Sequence, residues 1–166
     1  MSGGELSSPE MLISGGLLVA NGTIISAGGS TGVCCTGGTV MPVGTLAIEG
    51  DYTQTGGALA YELLPMGASG RLAVQGTATL GGTLGMSVAP GLYGLSTRYA
   101  RVLRAGAVNG QLAQVSWLPP AIFLRLERPI YDPASVDLTL DRTPFGPVPA
   151  PPSLGRACAV GNAQRA

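Results

Sequence analysis

Short stretches of alternating apolar and polar residues recur along the chain, most of them four to seven residues long, between Gly, Pro, Ser, Asn or Asp. A period of two is typical of half-buried β-strands, and the bounding residues are typical of turns. No stretch shows the ten or more residues of helical periodicity that a bundle or a βαβ fold requires. The pattern therefore predicts an all-β chain with essentially no stable helix before residue 150. The predicted strands are Leu17–Ala20, Thr23–Ser26, Thr45–Glu49, Ala58–Leu64, Arg71–Gln75, Thr77–Leu80, Thr83–Val88, Tyr99–Arg104, Gln111–Trp117, Ile122–Glu127 and Ser135–Leu140.

Two of these stretches repeat in sequence. Thr45–Gly50 aligns with Arg71–Gly76 at a spacing of 26 residues, and Gly56–Leu59 aligns with Gly81–Leu84 at a spacing of 25. A fainter third copy, Leu18–Thr23, lies 28 residues before the first, counting from Leu18 to Leu46. Repeats of about 20 to 30 residues made of short strands and glycine turns are typical of a parallel β-helix, a solenoid whose stacked coils bury their inward side chains.

The repeat also predicts which side chains face inward. The expected apolar column consists of Leu46, Ile48, Leu72, Val74, Leu84, Met86 and Val88, whereas the polar residues Asn21, Glu49 and Gln75 face outward before a glycine corner. The rival interpretation is an antiparallel sandwich, which would use Asn21-Gly22 and Asn109-Gly110 as hairpin turns. The repeat in register favours the solenoid.

The consensus of the repeat ends after Pro90. Two amphipathic strands, Ile122–Leu126 and Val136–Leu140, are joined by the proline-bounded segment Pro129–Pro133 and predict a hairpin-like C-terminal cap. A solenoid needs such a cap because its last coil otherwise exposes an open strand edge. We divide the chain into a ragged N-terminal segment (1–16), β-helix coils with the cap (17–142) and a Pro-rich linker or tail (143–166).

The composition excludes several kinds of chemistry. The chain has 166 residues with 27 glycines, no histidine and no lysine, so its nine positive charges are arginines that balance nine acids. Histidine-based triads, general bases and metal sites are thereby excluded, and zero net charge disfavours nucleic acid as a partner.

Cys34 and Cys35 are adjacent and Cys158 lies in the tail, so neither a disulfide framework nor a metal site is predicted. No apolar run reaches about 18 residues and no signal-peptide pattern is visible, so we expect a chain that stays inside or an internal fragment whose export signal lies upstream.

The order of motifs from about Gly44 to Arg142 resembles the last coils of autotransporter (type V secretion) passenger domains. The resemblance is carried by Gly44–Gln54, Gly56–Leu63, Ser69–Leu84, Tyr99–Gly110 and Val136–Leu140. It implies a right-handed single-stranded parallel β-helix that includes the autochaperone or junction region, truncated before the membrane β-barrel. It also implies a parent protein that is secreted or displayed at the bacterial cell surface and outer membrane, with the β-barrel translocator as its partner.

The acidic and glycine-rich motifs give weak signals for catalysis. Glu49 and Asp51 are two residues apart and so share a strand face, as the paired carboxylates of polysaccharide-cleaving enzymes can do. We expect both to flank a glycine corner in solvent, because Gln75 and Thr77 occupy the equivalent positions of the next coil. Glu62 is also expected to be solvated. Segment 26–32 lacks the lysine of a phosphate-binding loop, and Asn21-Gly22-Thr23 matches a glycosylation sequon only at chance level.

Two further sets of residues were candidates for ligand binding. Arg98, Arg101 and Arg104 recur every three residues, which in a regular strand places them on different faces, so we expect them to solvate the cap. Tyr99, Trp117 and Phe123 are expected in the core of the cap rather than as a sugar platform.

The sequence thus predicts a non-catalytic structural and folding-template segment, with no catalytic, cofactor-binding or metal-binding residue and no cofactor. The alternatives are a surface solenoid that binds a host or surface glycan as an adhesin, and a polysaccharide-cleaving β-helix. Self-association through an uncapped N-terminal coil is also expected, because its strand edge is open.

Overall fold

The computed structural model describes residues 3–26, 32–117 and 121–143. Within these residues the protein consists of strands, turns and bends without any helix, which confirms the all-β prediction. The proposed Pro-rich tail, apart from its first residue Thr143, and Cys158 lie outside the described residues. The strands are β1 (Gly4–Ser8), β2 (Met11–Ile13), β3 (Leu17–Ser26), β4 (Val33–Cys35), β5 (Thr39–Glu49), β6 (Tyr52–Gln54), β7 (Ala58–Leu63), β8 (Arg71–Val74), β9 (Thr77–Leu80), β10 (Thr83–Val88), β11 (Ser96–Arg104), β12 (Ala107–Gly110), β13 (Gln114–Trp117), β14 (Leu124–Leu126), β15 (Ile130–Asp132) and β16 (Ser135–Arg142).

The strands pair in a curled, mostly parallel arrangement of three rows. The first row contains β1, the second half of β3, the second half of β5, β8 and the end of β11. The second row contains β2, β4, β6, β9 and β12. The third row contains the first halves of β3 and β5, then β7, β10 and β13. The chain visits the first, second and third rows in that order and then returns to the first.

Strands β3 and β5 belong to two rows each, so the sheet turns its corner inside a continuous strand. In β5, Thr39 and Val40 pair with β7, whereas Thr45–Ile48 pair with β8. Gly44, between the two halves, has a φ of +79°, a conformation that side-chain-bearing residues rarely adopt. The glycine corner is therefore what lets one strand serve two rows.

The strand register confirms the two close copies of the repeat. Leu46 pairs with Leu72 and Ile48 with Val74, at the predicted spacing of 26, and Leu59 pairs with Leu84 at the predicted spacing of 25. The third copy was aligned wrongly. Leu46 pairs with Gly22 rather than with Leu18, because a register irregularity between Ala20 and Gly22 divides β3 between two rows.

The hairpins of the sandwich alternative are not formed. Asn21-Gly22 lies within β3, which continues in parallel pairing with β5 on both sides of the irregularity. Asn109-Gly110 ends β12, which is parallel to β9.

The core lies between the rows. Every member of the predicted apolar column is buried except Val88, which is half-buried against it. Asn21 and Glu49 are partly exposed and Gln75 is exposed, as predicted for outward positions. Three tyrosines that the repeat did not predict, Tyr52, Tyr61 and Tyr99, are also fully buried.

The last strands run against the direction of the rows. β16 pairs antiparallel with β11 on one side and with β14 and β15 on the other. Val136, Leu138 and Leu140 are buried, so β16 alternates inward and outward residues as a half-buried strand does. No helix among the described residues is long and apolar enough to cross a membrane.

Candidate functional site at the C-terminal strands

Asp137 is the most densely bonded charged residue described in the structure. It lies on β16 between two core residues, and its side chain is 4% exposed. Its Oδ1 accepts the backbone amide of Arg101 at 2.7 Å, and its Oδ2 accepts Nε of Arg98 at 3.2 Å together with a short bond from Nη2 of the same arginine. Both partners belong to β11, so this carboxylate fastens β16 to the neighbouring strand.

The surroundings of Asp137 act on its pKa in opposite directions. Burial raises the pKa of the carboxyl, whereas the hydrogen bonds from the Arg101 amide and the Arg98 side chain, with the charges of both arginines, lower it. The net pKa lies below the ordinary value for an aspartate. Asp137 is therefore held as a carboxylate at neutral pH, which suits a bonding role better than proton transfer.

A bulge in β11 sets the directions of its arginines. Tyr99 pairs with Leu138 and Leu103 with Val136, so an advance of four residues along β11 matches an advance of two residues along β16. Arg101 lies in this bulge with a φ of +54° and is exposed, although in a regular strand it would face inward with Tyr99 and Leu103. The prediction that Arg98, Arg101 and Arg104 point to different faces is therefore wrong, since the bulge brings all three to the outer surface.

The arginines line two depressions on the outer surface of β8 and β11. One, with a volume of about 410 Å³, is lined by Arg71, Arg98, Ala100, Arg101 and Asp137. The other, also about 410 Å³, is lined by Ala47, Ala73, Val74, Gln75, Arg104, Ala105 and Gly106. Sequence spacing alone missed this grouping, because Arg71 comes from a different strand and the bulge carries no evident sequence signal.

The two acids that were candidates for paired catalysis have separate surroundings. Asp51, just before β6, accepts the backbone amide of Thr77 at 2.7 Å through its Oδ1, which links the start of β6 to the start of its parallel neighbour β9. Glu49 is partly exposed at the end of β5, and Glu62 is exposed on β7. The described residues contain no group of three or more acids, cysteines or histidines placed to hold a metal ion.

The aromatic residues expected in the cap do not form one core. Tyr99 is buried, and its hydroxyl donates to the carbonyl of Leu64 at 2.7 Å. Trp117 is partly buried beside a cleft between β13 and β14. Phe123, which precedes β14, is 53% exposed. Burial is therefore right for Tyr99, partial for Trp117 and wrong for Phe123.

The core contains two buried polar groups that the sequence did not predict. Gln54 is 1% exposed, and its Oε1 accepts the Tyr52 hydroxyl at 3.1 Å. Its Nε2 approaches the carbonyls of Gly57 and Thr83 at 3.5 Å. The Tyr61 hydroxyl is buried without a hydrogen-bond partner among the described residues. The repeat could not reveal them, since the residue two places after Ala78, at the position of Gln54, is Leu80.

The adjacent cysteines are free thiols on opposite sides of β4. Cys35 is buried with its Sγ 3.6 Å from the carbonyl oxygen of Gly38, and Cys34 is partly exposed. Burial raises the pKa of the Cys35 thiol, which is the opposite of what an activated nucleophile requires.

Comparisons with known proteins give no match: no family model, curated protein or solved structure is similar to this chain.

Proposed function

We propose that this chain is a non-catalytic structural segment of a secreted autotransporter passenger, in which β16 and its neighbours serve as a folding template for the coils. The observation that carries the proposal is the position of β16. It pairs with β11, β14 and β15 and buries Val136, Leu138 and Leu140 in the core. One strand thus covers the final member of the first row and supplies inward side chains to it.

The three parallel rows support the finer proposal of a parallel β-helix, whose right-handed winding is proposed from the resemblance alone. A chain that visits three rows in a fixed order stacks each turn only on its neighbours, and stability in such an array is a sum of unit and interface terms. An array of this kind folds fastest from the end that is already ordered. β16 offers that end because two of its antiparallel partners, β15 and β14, lie immediately before it in sequence, which keeps the loop-closure cost low.

The polar groups support a structural role rather than a catalytic one. Asp51 and Asp137 bond to backbone amides of neighbouring strands at 2.7 Å, and Gln54 bonds within the core. These groups satisfy donors that the stacked strands would otherwise leave unpaired, which is costly in a buried place. In the full-length parent, the segment would lie next to the β-barrel translocator at the outer membrane.

Refolding kinetics test the template directly. Leu138→Ala in β16 and Ile24→Ala in β3 both remove a buried aliphatic side chain, so they form a matched pair. If β16 orders first, Leu138→Ala slows refolding with a φ-value of about 0.5 to 1, whereas Ile24→Ala mainly speeds unfolding with a φ-value of about 0 to 0.3. The reverse ranking would overturn the template role.

A further inference from the structure

Charge is unevenly distributed over this protein although its net charge is zero. Four of the nine arginines, Arg71, Arg98, Arg101 and Arg104, lie on the outer surface of the neighbouring strands β8 and β11. We call these four residues the arginine strip. The only carboxylate lining its two depressions is Asp137, which is already bonded to Arg98. Arg71, Arg101 and Arg104 have exposed side chains and form no ion pair with any described residue.

The register places these charges on two adjacent strands. Arg104 pairs laterally with Ala73, and Arg71 lies two residues before Ala73 on the same outward side of β8. Small side chains, those of Ala47, Ala73 and Ala100, line the depressions together with the arginines. The strip is thus a shallow surface on which the guanidinium groups lie beside small side chains, rather than a deep pocket.

We propose that the arginine strip binds an acidic polysaccharide, through carboxylate or sulfate groups that repeat along an extended saccharide chain. Guanidinium groups bind both kinds of anion with two parallel hydrogen bonds. An extended chain with repeated anions contacts several arginines at once, and each further contact adds to the first with little extra loss of freedom. This inference is independent of the folding-template role.

The surface suits a saccharide better than the other polyanions. Single-stranded nucleic acid binds on exposed aromatic rings as well as on cations, but the strip is floored by alanines, and the nearby Tyr99 is fully buried. Anchoring to a lipid surface requires large apolar side chains beside the cations. Among the residues that line the two depressions, the only apolar side chain larger than alanine is that of Val74, and it is 5% exposed.

Glu49 provides an internal check on the proposal. It lies on the outward side of β5, two residues beyond Ala47, and so faces the same surface as the strip. Its charge opposes an anionic ligand there, so Glu49→Gln should strengthen binding. Glu62→Gln on β7, in the third row, removes the same charge away from the strip and serves as its control.

The test titrates the full chain with two probes, a heparin oligosaccharide (sulfated) and an oligogalacturonate (carboxylated), with neutral dextran as a blank. Arg71→Gln/Arg104→Gln removes two strip charges without touching the Asp137 bonds. Arg125→Gln/Arg128→Gln removes two exposed charges beside the cleft of β13 and β14. We expect the strip variant to bind at least about tenfold more weakly, the control to change less than about twofold, and the affinity to fall as salt rises.

Each outcome decides the proposal. Binding of one probe alone identifies sulfate or carboxylate as the recognised group. Equal weakening in both arginine variants, or no gain for Glu49→Gln, would mean unspecific charge attraction and would overturn the site. A single-stranded oligonucleotide or an anionic lipid vesicle that binds as tightly, with the same variant pattern, would overturn the saccharide as the ligand. Failure of both saccharide probes to bind would overturn the proposal and leave the refolding test of β16 unaffected.

Discussion

Asp137 on β16 accepts the backbone amide of Arg101 on β11 at 2.7 Å, and Arg101 is the only described non-glycine residue with a positive φ. A left-handed conformation costs a residue with a side chain about 1 to 3 kcal/mol, so it persists only where the surroundings fix it. Here a buried carboxylate supplies that support from the opposite strand. The bulge of β11 and the acid of β16 therefore form one structural unit.

Removing this carboxylate should loosen the last strands. We expect Asp137→Ala to lower the free energy of unfolding by about 1.5 to 3 kcal/mol, because the Arg101 amide loses a charged acceptor in a partly buried bond. Arg98→Ala should cost less than about 1 kcal/mol, since the Arg98 side chain is 65% exposed and solvent screens the pair. Urea unfolding of both variants measures the difference, and equal losses would argue against the amide bond as the main contribution.

The same aspartate should make stability depend on pH in the acid range. Its folded pKa is lower than that of the unfolded chain, so its contribution is fully present above the unfolded value of about 4 and is lost as the pH falls through the folded pKa. Urea unfolding between about pH 6 and pH 2 should show a steeper acid loss in the native chain than in Asp137→Asn. Parallel curves would show that other carboxyls dominate.

Two buried tyrosines should respond oppositely to removal of the hydroxyl. Tyr61→Phe removes a buried hydroxyl without a partner and should leave stability unchanged or raise it by up to about 1 kcal/mol. Tyr99→Phe removes the bond to the Leu64 carbonyl and should cost about 0.5 to 1.5 kcal/mol. The two melting temperatures make the comparison, and destabilisation by Tyr61→Phe would point to a partner for that hydroxyl.

The stacked glycines should not tolerate a side chain. Gly57 has a φ of +64°, and a Cβ there would collide with the carbonyl oxygen of Gly38, which precedes the paired strand β5. Gly57→Ala should lower the free energy of unfolding by about 2 kcal/mol or more, because the backbone is strained and the start of β7 is forced away from β5. Gly15 has open space around its Cα, so Gly15→Ala is the control and should be neutral or stabilising by up to about 1 kcal/mol. Chemical denaturation of the two variants tests this.

Leucine-to-alanine substitutions in β3 and in β16 should destabilise the protein to different extents. Leu138 is fully buried on β16, whereas Leu18 is only partly buried on β3. Leu138→Ala should cost about 2 to 5 kcal/mol and Leu18→Ala much less. Leu126 is half-buried, so Leu126→Ala should fall between them. Equal losses for Leu18→Ala and Leu138→Ala, measured by denaturation, would contradict the view that β16 is the better-ordered end.

The sequence predicted the parts of the fold in which side chains alternate over several residues. The repeat gave the pairing of Leu46 with Leu72 because both lie in strands with the same inward and outward pattern. The second row was largely missed: β2, β4 and β6 have three residues each, too few to show a period. The alignment of Leu18 failed for another reason, since a corner inside β3 changes the spacing of the repeat without changing its residue types.

The candidate sites depended on irregularities that a sequence pattern does not contain. Alternation correctly placed Gln75 outward, because β8 is a regular strand. It failed at Arg101, because the direction of that side chain is set by a bulge whose support, Asp137, is 36 residues away. Long-range contacts of this kind determine which charged side chains lie close together, and the alternation of residues within one strand does not reveal them.

The bulge also determines which insertions and deletions β11 can accept. Arg98 and Arg104 share the outer surface because the extra length between Tyr99 and Leu103 is two residues, an even number. Loss of one residue there would leave a bulge of one extra residue, which still permits the pairs on both sides. Loss of two neighbouring residues, such as Ala100 and Arg101, would preserve the phase on both sides. Natural length variation should therefore be tolerated between Tyr99 and Leu103 rather than in the regularly paired parts of β11.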